Sequence, residues 1–179
     1  MQTDPLYIVE VIEDVVKATD VALYSTLNKH IFYQYGRSIQ ILTQLQYLNG
    51  SIQSKGNKYP LFALFQDFPE TNGGNGYYAT VRFPKIIIAT LTQSTDSVPK
   101  RYAETFKPIL YPIYTEFLRQ LVKHKNVVAN DPGAIPHIKW DRPGSMPAAD
   151  KKEAGNFTDY VDAIELQNLE LTFKQIKSC

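Results

Sequence analysis

Reactive sulfur is almost missing from this chain: it has one cysteine in 179 residues, and that is Cys179 itself. A lone thiol excludes an intrachain disulfide framework, and a terminal position is a poor place for a catalytic thiolate. Folding under reducing conditions is the matching expectation. Histidine is also scarce, with His30, His124 and His137 far apart in the chain. None stands at metal-ligand spacing from another, so no metal and no cofactor are expected. His124 falls near the end of a predicted helix, where the dipole alone explains an imidazole. No apolar run approaches the ~18 residues a membrane span needs, and no basic-then-apolar leader is visible, so the expectation is a soluble protein. Charge of one sign is lacking too. The formal net charge is +1 and the pI about 7.8, which demands neither a nucleic-acid partner nor an anionic membrane.

Catalytic signatures are absent in the same way. The Gly-rich stretch Asn72-Gly73-Gly74-Asn75-Gly76 has no Lys-Ser/Thr after it and leads into a strand, so it reads as a turn rather than a phosphate cradle. No G-x-S-x-G elbow exists, and Ser145 lies in a Pro-rich stretch with no base identifiable beside it. The carboxylates Asp159, Asp162, Glu165 and Glu170 alternate along the last strand, the pattern of a half-solvated strand. Six basic residues, Lys100, Arg101, Lys107, Arg119, Lys123 and Lys125, stand against Glu104 and Glu116. A solvated helix face accounts for them, and aromatics do not interleave as single-strand binders require.

What is abundant is tyrosine and phenylalanine, 12 and 9 residues against a single Trp. Tyr combines apolar area with a polar tip, which suits both β-rich cores and interfaces assembled from soluble subunits. The chain is organised around 59–93. An apolar run from Tyr59 to Gln66 is followed by a loop, Asp67 to Gly76, and a second run from Tyr77 to Leu91. β-Branched and aromatic residues dominate both runs, which predicts two antiparallel strands joined by a wide loop. Ile86-Ile87-Ile88 is apolar on both faces and belongs deep in a sheet.

The other elements follow from periodicity. Asp4 to Thr19 reads as an amphipathic helix, with Asp4 as its cap, Pro5 in the first turn, and Leu6, Val9, Ile12 and Val16 on one face. Asn28 to Gly36 reads as extended, and a short helix from Ser38 carries Ile41, Leu45 and Leu48. A long helix lies within Tyr102 to His124, with Phe106, Leu110, Ile113, Phe117 and Leu121 on one face. Pro108 and Pro112 predict that its regular part begins near Tyr111. Residues 126–155 read as an irregular loop anchored in the core by Ile138 and Trp140. In the last strand, Ile164 and Leu166 share one parity while Leu169, Leu171 and Phe173 share the other. That predicts a β-bulge or sheet bend near Gln167-Asn168. The expected fold is a single α+β domain over 1–179. Its mixed, mainly antiparallel β-sheet is flanked by an N-terminal helix and one long central helix.

Several runs carry a resemblance to a known group: Phe32-Tyr33-Gln34-Tyr35-Gly36, Tyr59 to Phe65, Phe83 to Ala89, Leu110 to Ile113, and Tyr160 to Leu171. Together they resemble the neck proteins of tailed bacteriophages: the tail-terminator, tail-completion and head–tail connector families. The wording is most like that of crAss-like phages infecting gut Bacteroidetes. The likeness spans roughly 31–173, and the element order is similar to the tail-terminator fold. It implies a structural virion protein, made in the host bacterial cytoplasm and not an enzyme, that closes into a six- or twelve-fold homo-oligomeric ring at the head–tail junction. Portal or connector protein and tail proteins would adjoin it, and packaged DNA would pass through the lumen without sequence-specific contact. Subunit contacts are expected from two loops, through Asn72, Asn75 and Tyr77 in one and Ile138, Trp140, Arg142 and Met146 in the other. Trp140 and Arg142 are the candidate anchors. The alternative is a small soluble ligand-binding or hydrolytic domain using the carboxylates of the last strand, with a raised pKa beside a pocket.

Overall fold

The computed structural model describes residues 7–49, 57–73, 78–128, 134–145 and 159–174. The fold is α+β, and the described residues form three helices and one mixed, mostly antiparallel, curled sheet. Its centre is a pair of 14-residue strands, β4 (Tyr78–Leu91) and β7 (Val161–Lys174). They pair antiparallel from Tyr78↔Lys174 to Leu91↔Val161. β1 (Phe32–Gly36) runs parallel to β2 (Leu61–Phe65), which pairs antiparallel with Leu64↔Ile86 to Leu61↔Ala89 of β4. β3 (Glu70–Asn72) continues along the same edge of β4. On the far edge of β7 lie β5 (Val127–Val128) and β6 (Ile138–Ser145).

The expected hairpin is therefore present as β2 and β4, with the short strand β3 inside its wide loop. The expected change of face is present as well, and it has a partner. On β7, Leu166 and Leu169 both join the main core, and on β4 so do Phe83 and Ile86. Each strand takes one extra residue at the same level, Pro84 opposite Asn168, so the register on both sides is unchanged while both side-chain patterns flip. Asn168 adopts φ 53°, the left-handed conformation Asn tolerates, and Pro84 has no N–H to lose from the ladder. The sheet bends there into a wide half, β1-β2-β4-β7-β6, and a narrow half, β3-β4-β7-β5.

Helix α1 (Ile8–Leu27) and helix α3 (residues 98–123) cover one face of this sheet. The buried stripe of α1 is Ile8, Val11, Ile12, Val15, Val16 and Thr19. The helix then runs two turns beyond the expected Thr19, and Val21 there is 79% exposed. The expected cap Asp4, Pro5 and Leu6 lie outside the described residues. Helix α3 begins as Val98–Arg101, widens to π-helical turns over Tyr102–Leu110, and returns to α geometry over Tyr111–Lys123. The π segment contains Pro108, whose ring and missing N–H disfavour a regular α-helical turn. Phe106, Leu110, Ile113, Phe117 and Leu121 are all buried, as their spacing predicts. Phe117 meets Phe62 of β2 with ring centroids 4.7 Å apart.

The other face is covered in part by α2 (Ser38–Asn49) through Ile41, Leu42 and Leu45. These pack with Tyr59, Leu61, Ala63, Ile87, Ala89, Val161 and Ala163. The Gln40 side chain accepts the Arg37 N–H at 3.0 Å, closing the first turn of α2 as in a capping box. No described helix is long and apolar enough to cross a membrane.

One expectation fails here. The stretch read as an irregular loop, 126–155, contains β5 and β6, and Ile138 and Trp140 are not core anchors. They are 48% and 47% exposed. Alternation places Ile138, Trp140 and Arg142 on the side of β6 that turns away from α3. Lys139 and Asp141, on the other side, take polar partners.

Candidate functional site

Two buried ion pairs brace the sheet. Lys58, fully buried, meets Asp159, and Tyr59 Oη donates to the same carboxylate at 3.0 Å. Lys58 Nζ also lies 3.4 Å from the carbonyl of Leu45, which ties α2 to the start of β2. Burial first, and the neighbouring Asp159 second, push the Tyr59 hydroxyl well above its ordinary pKa, so it remains a donor. The second pair joins Arg101 and Asp162 at 3.1 Å. Arg101 additionally donates to the carbonyls of Asp96, Gln93 and Ser94 and to Thr92 Oγ1. Asp162 accepts from Thr105 Oγ1 at 2.5 Å and from the Gly144 N–H at 2.8 Å. A desolvated pair is tolerable only when its remaining donors and acceptors are satisfied, and both are.

The four carboxylates of the last strand thus have distinct fates. Asp159 and Asp162 are internal struts. Glu165 lies 3.2 Å from Arg142 Nε, and Glu170 lies 2.8 Å from Arg82 at the surface. Burial works to raise the Glu165 carboxyl. The hydrogen bond from Gln167 and the charges of Lys85 and Arg142 outweigh it, leaving the group below the usual carboxylate range. The six basic residues disperse in the same way. Arg101 is buried, Lys100 pairs with Asp96 and Arg119 with Glu116, which leaves Lys107, Lys123 and Lys125 exposed.

The expected contact residues fall on two sides of the molecule. Asn72 ends β3, whose three residues are all exposed, on the β4 side of the central pair. Ile138, Trp140 and Arg142 occupy alternate positions of β6, on the β7 side. The Arg142 guanidinium lies 5.2 Å from the Trp140 ring, a cation–π stack on an open face. Asn75, Tyr77 and Met146 lie outside the described residues.

The opposite side of β6 meets α3 through a polar seam. Tyr111 Oη donates to Asp141 at 2.7 Å, and Lys139 reaches the same carboxylate. The Lys139 ammonium sits 4.7 Å from the Tyr111 ring and 5.6 Å from the Tyr114 ring. His137 Nδ1 lies 2.7 Å from the Ile135 carbonyl and must donate to it, so in the neutral ring Nε2 accepts from Tyr114 Oη, 2.8 Å away. Burial, the bond to Asp141 and the Asp141 charge push the Tyr111 hydroxyl up to about 12.

Away from these surfaces, a groove of about 480 Å³ is lined by Tyr24, Asn28, Lys29, His30, Asn57 and Tyr59. His30 stacks on Tyr24 at 4.4 Å and directs Nδ1 to Asp20, 2.8 Å away, while Asp20 also accepts the Ile31 N–H. Asp20 thereby fixes the turn from α1 into β1. Among the described residues no group of three or more His, Cys, Asp or Glu is arranged to hold a metal ion. The seam residues Tyr111, Tyr114, His137, Lys139 and Asp141 carried no sequence signal as a group. The one available clue to a buried ion pair was Asp162 itself, a carboxylate inside the apolar run Val161 to Ile164. Comparison of the chain with protein-family models, curated proteins and solved structures finds no match.

Proposed function

We propose that this chain is a structural subunit of a phage virion that closes head-to-tail into a ring at the head–tail junction or the top of the tail. The reading draws on the resemblance of its sequence to phage neck proteins. The single observation that carries it further is the separation of two unlike exposed surfaces, Asn72 on β3 and the Ile138–Trp140–Arg142 face of β6, on opposite sides of one sheet. A heterologous contact that closes into a ring needs two different patches on each subunit, whereas a two-fold dimer needs only one. The Trp140–Arg142 stack supplies the kind of side chains that anchor interface centres. Ring order is six- or twelve-fold, with portal or connector protein on one side, tail proteins on the other, and DNA in the lumen.

The reading asks for no catalysis. Asp159, Asp162, Glu165 and Glu170 are each engaged with a cationic side chain, which gives the alternative of a carboxylate-based hydrolytic domain less support. Native mass spectrometry of the purified chain and electron microscopy of particles test the proposal. Rings of six or twelve copies, found also in virions, are the expected result. A strict monomer absent from particles ends it.

A further inference from the structure

We propose that β6 is a detachable strand, and that the edge of β7 it covers accepts the β6 of a second copy. The inference deepens the reading above and rests on it for the identity of the partner.

β6 and β2 flank the central pair on its two sides, yet they are held differently. Leu61, Phe62, Ala63 and Leu64 of β2 are all buried. Between Ile138 and Gly144, β6 buries no side chain, and none of its residues belongs to either core cluster. Among the described residues its attachments include backbone pairing, the Tyr111–Asp141 and Lys139 seam, the Arg142–Glu165 pair, and Gly144 on Asp162. All of these are groups that water can also serve, so opening this strand exposes little apolar surface.

β7 cannot stay bare. Thr92 donates to the Tyr160 carbonyl, so alternation turns the backbone groups of Ala163 and Glu165 toward β6. A replacement strand must satisfy those groups and also fit Tyr160 beneath Gly144. Gly144 has φ +60°, and a Cβ there would lie 2.6 Å from the Tyr160 hydroxyl. It must further present Asp141 to Tyr111 and a cation to Glu165. The strand with all these features is β6 itself, and a second copy supplies it, which is strand exchange. Simple addition outside β6 is disfavoured, because Pro143 has no N–H to offer and the register slips between Arg142 and Ser145.

Two measurements on the full-length chain test this. In native-state hydrogen exchange, the Trp140, Arg142 and Glu165 amides are expected to exchange about 100-fold faster than those of Ile86 and Ile88, which face β7 across the central pair. That arm uses the unaltered chain and does not depend on any variant folding. In the second, Trp140→Cys chains are mixed with Glu165→Cys chains, both carrying Cys179→Ser, and treated with a short thiol–thiol crosslinker. The expected product is a covalent dimer of the two different chains, and the double variant in one chain, kept dilute, gives an internal loop instead. Protection at Trp140 equal to that at Ile88 overturns detachment, and absence of the mixed dimer overturns exchange between copies. A ring that crosslinks only within chains sinks this inference and keeps the proposed function. Mixed dimers without rings do the reverse.

Discussion

β2 and β6 are both strands against the same central pair, with the same kind of backbone ladder, and only one of them is part of the core. Four consecutive residues of β2 are buried between the helical layer and α2, whereas β6 has water on one side and a polar seam on the other. The difference teaches that the ladder does not by itself make a strand stable. Net gain per hydrogen bond is small because water competes for the same groups, and apolar burial supplies most of the rest.

The direct way to break this comparison is to truncate one large side chain on each strand. Phe62→Ala should cost about 3–5 kcal/mol by leaving a cavity against Phe117, while Trp140→Ala should stay within about 0.5 kcal/mol. Urea unfolding of both variants measures it, and similar losses would erase the distinction between the strands. Next, Asp162→Ala should cost about 3 kcal/mol, because it strands the buried Arg101 charge and frees the Gly144 N–H together. Asp162→Asn should cost less, since it keeps an acceptor for Thr105 or Gly144. Thermal melts that rank the two the other way would contradict the strut.

A smaller effect of opposite sign is expected on β1, next to β2. The Tyr33 hydroxyl is buried with no hydrogen-bond partner among the described residues, and burial pushes its pKa up. Tyr33→Phe removes that unsatisfied group and should stabilise the fold by about 1 kcal/mol, measured by the same unfolding curves. The smallest effect is the pH response. Burial lowers the His124 pKa, the charge of Asp14 opposes this, and Lys125 adds to the lowering. Its folded value therefore lies below the unfolded one of about 6.5. The unfolded chain takes up the proton first, so stability is full above that value and falls as pH drops through it. Glu165, also lowered, adds a second loss as pH falls below about 4.5. His124→Gln should flatten the first step in a pH series of melts and leave the second.

Much of the fold was legible because its residues report burial directly. The α3 stripe from Phe106 to Leu121, the apolar runs of β2 and β4, and the parity switch at Gln167-Asn168 each state which side is dry. β6 was not legible, because a strand that buries nothing needs no alternation, and Pro143-Gly144 reads locally as a turn. Two of the contact residues expected from the sequence, Trp140 and Arg142, do stack together. The reading of Trp140 as a core anchor fails, since a Trp fits either place and this one is exposed.

The amino-acid order alone determined which stretches become the helices and the two long strands, though not that α1 continues to Leu27, and that the last strand must turn over, because period and parity are local properties of a chain. Tertiary structure alone decided that Lys58 would meet Asp159, 101 positions away, and that Arg101 would meet Asp162, 61 positions away. It decided also that β6 would lie against β7 with its aromatic face outward. Those outcomes depend on which surfaces remain uncovered once the core has closed, and no window of sequence carries that information.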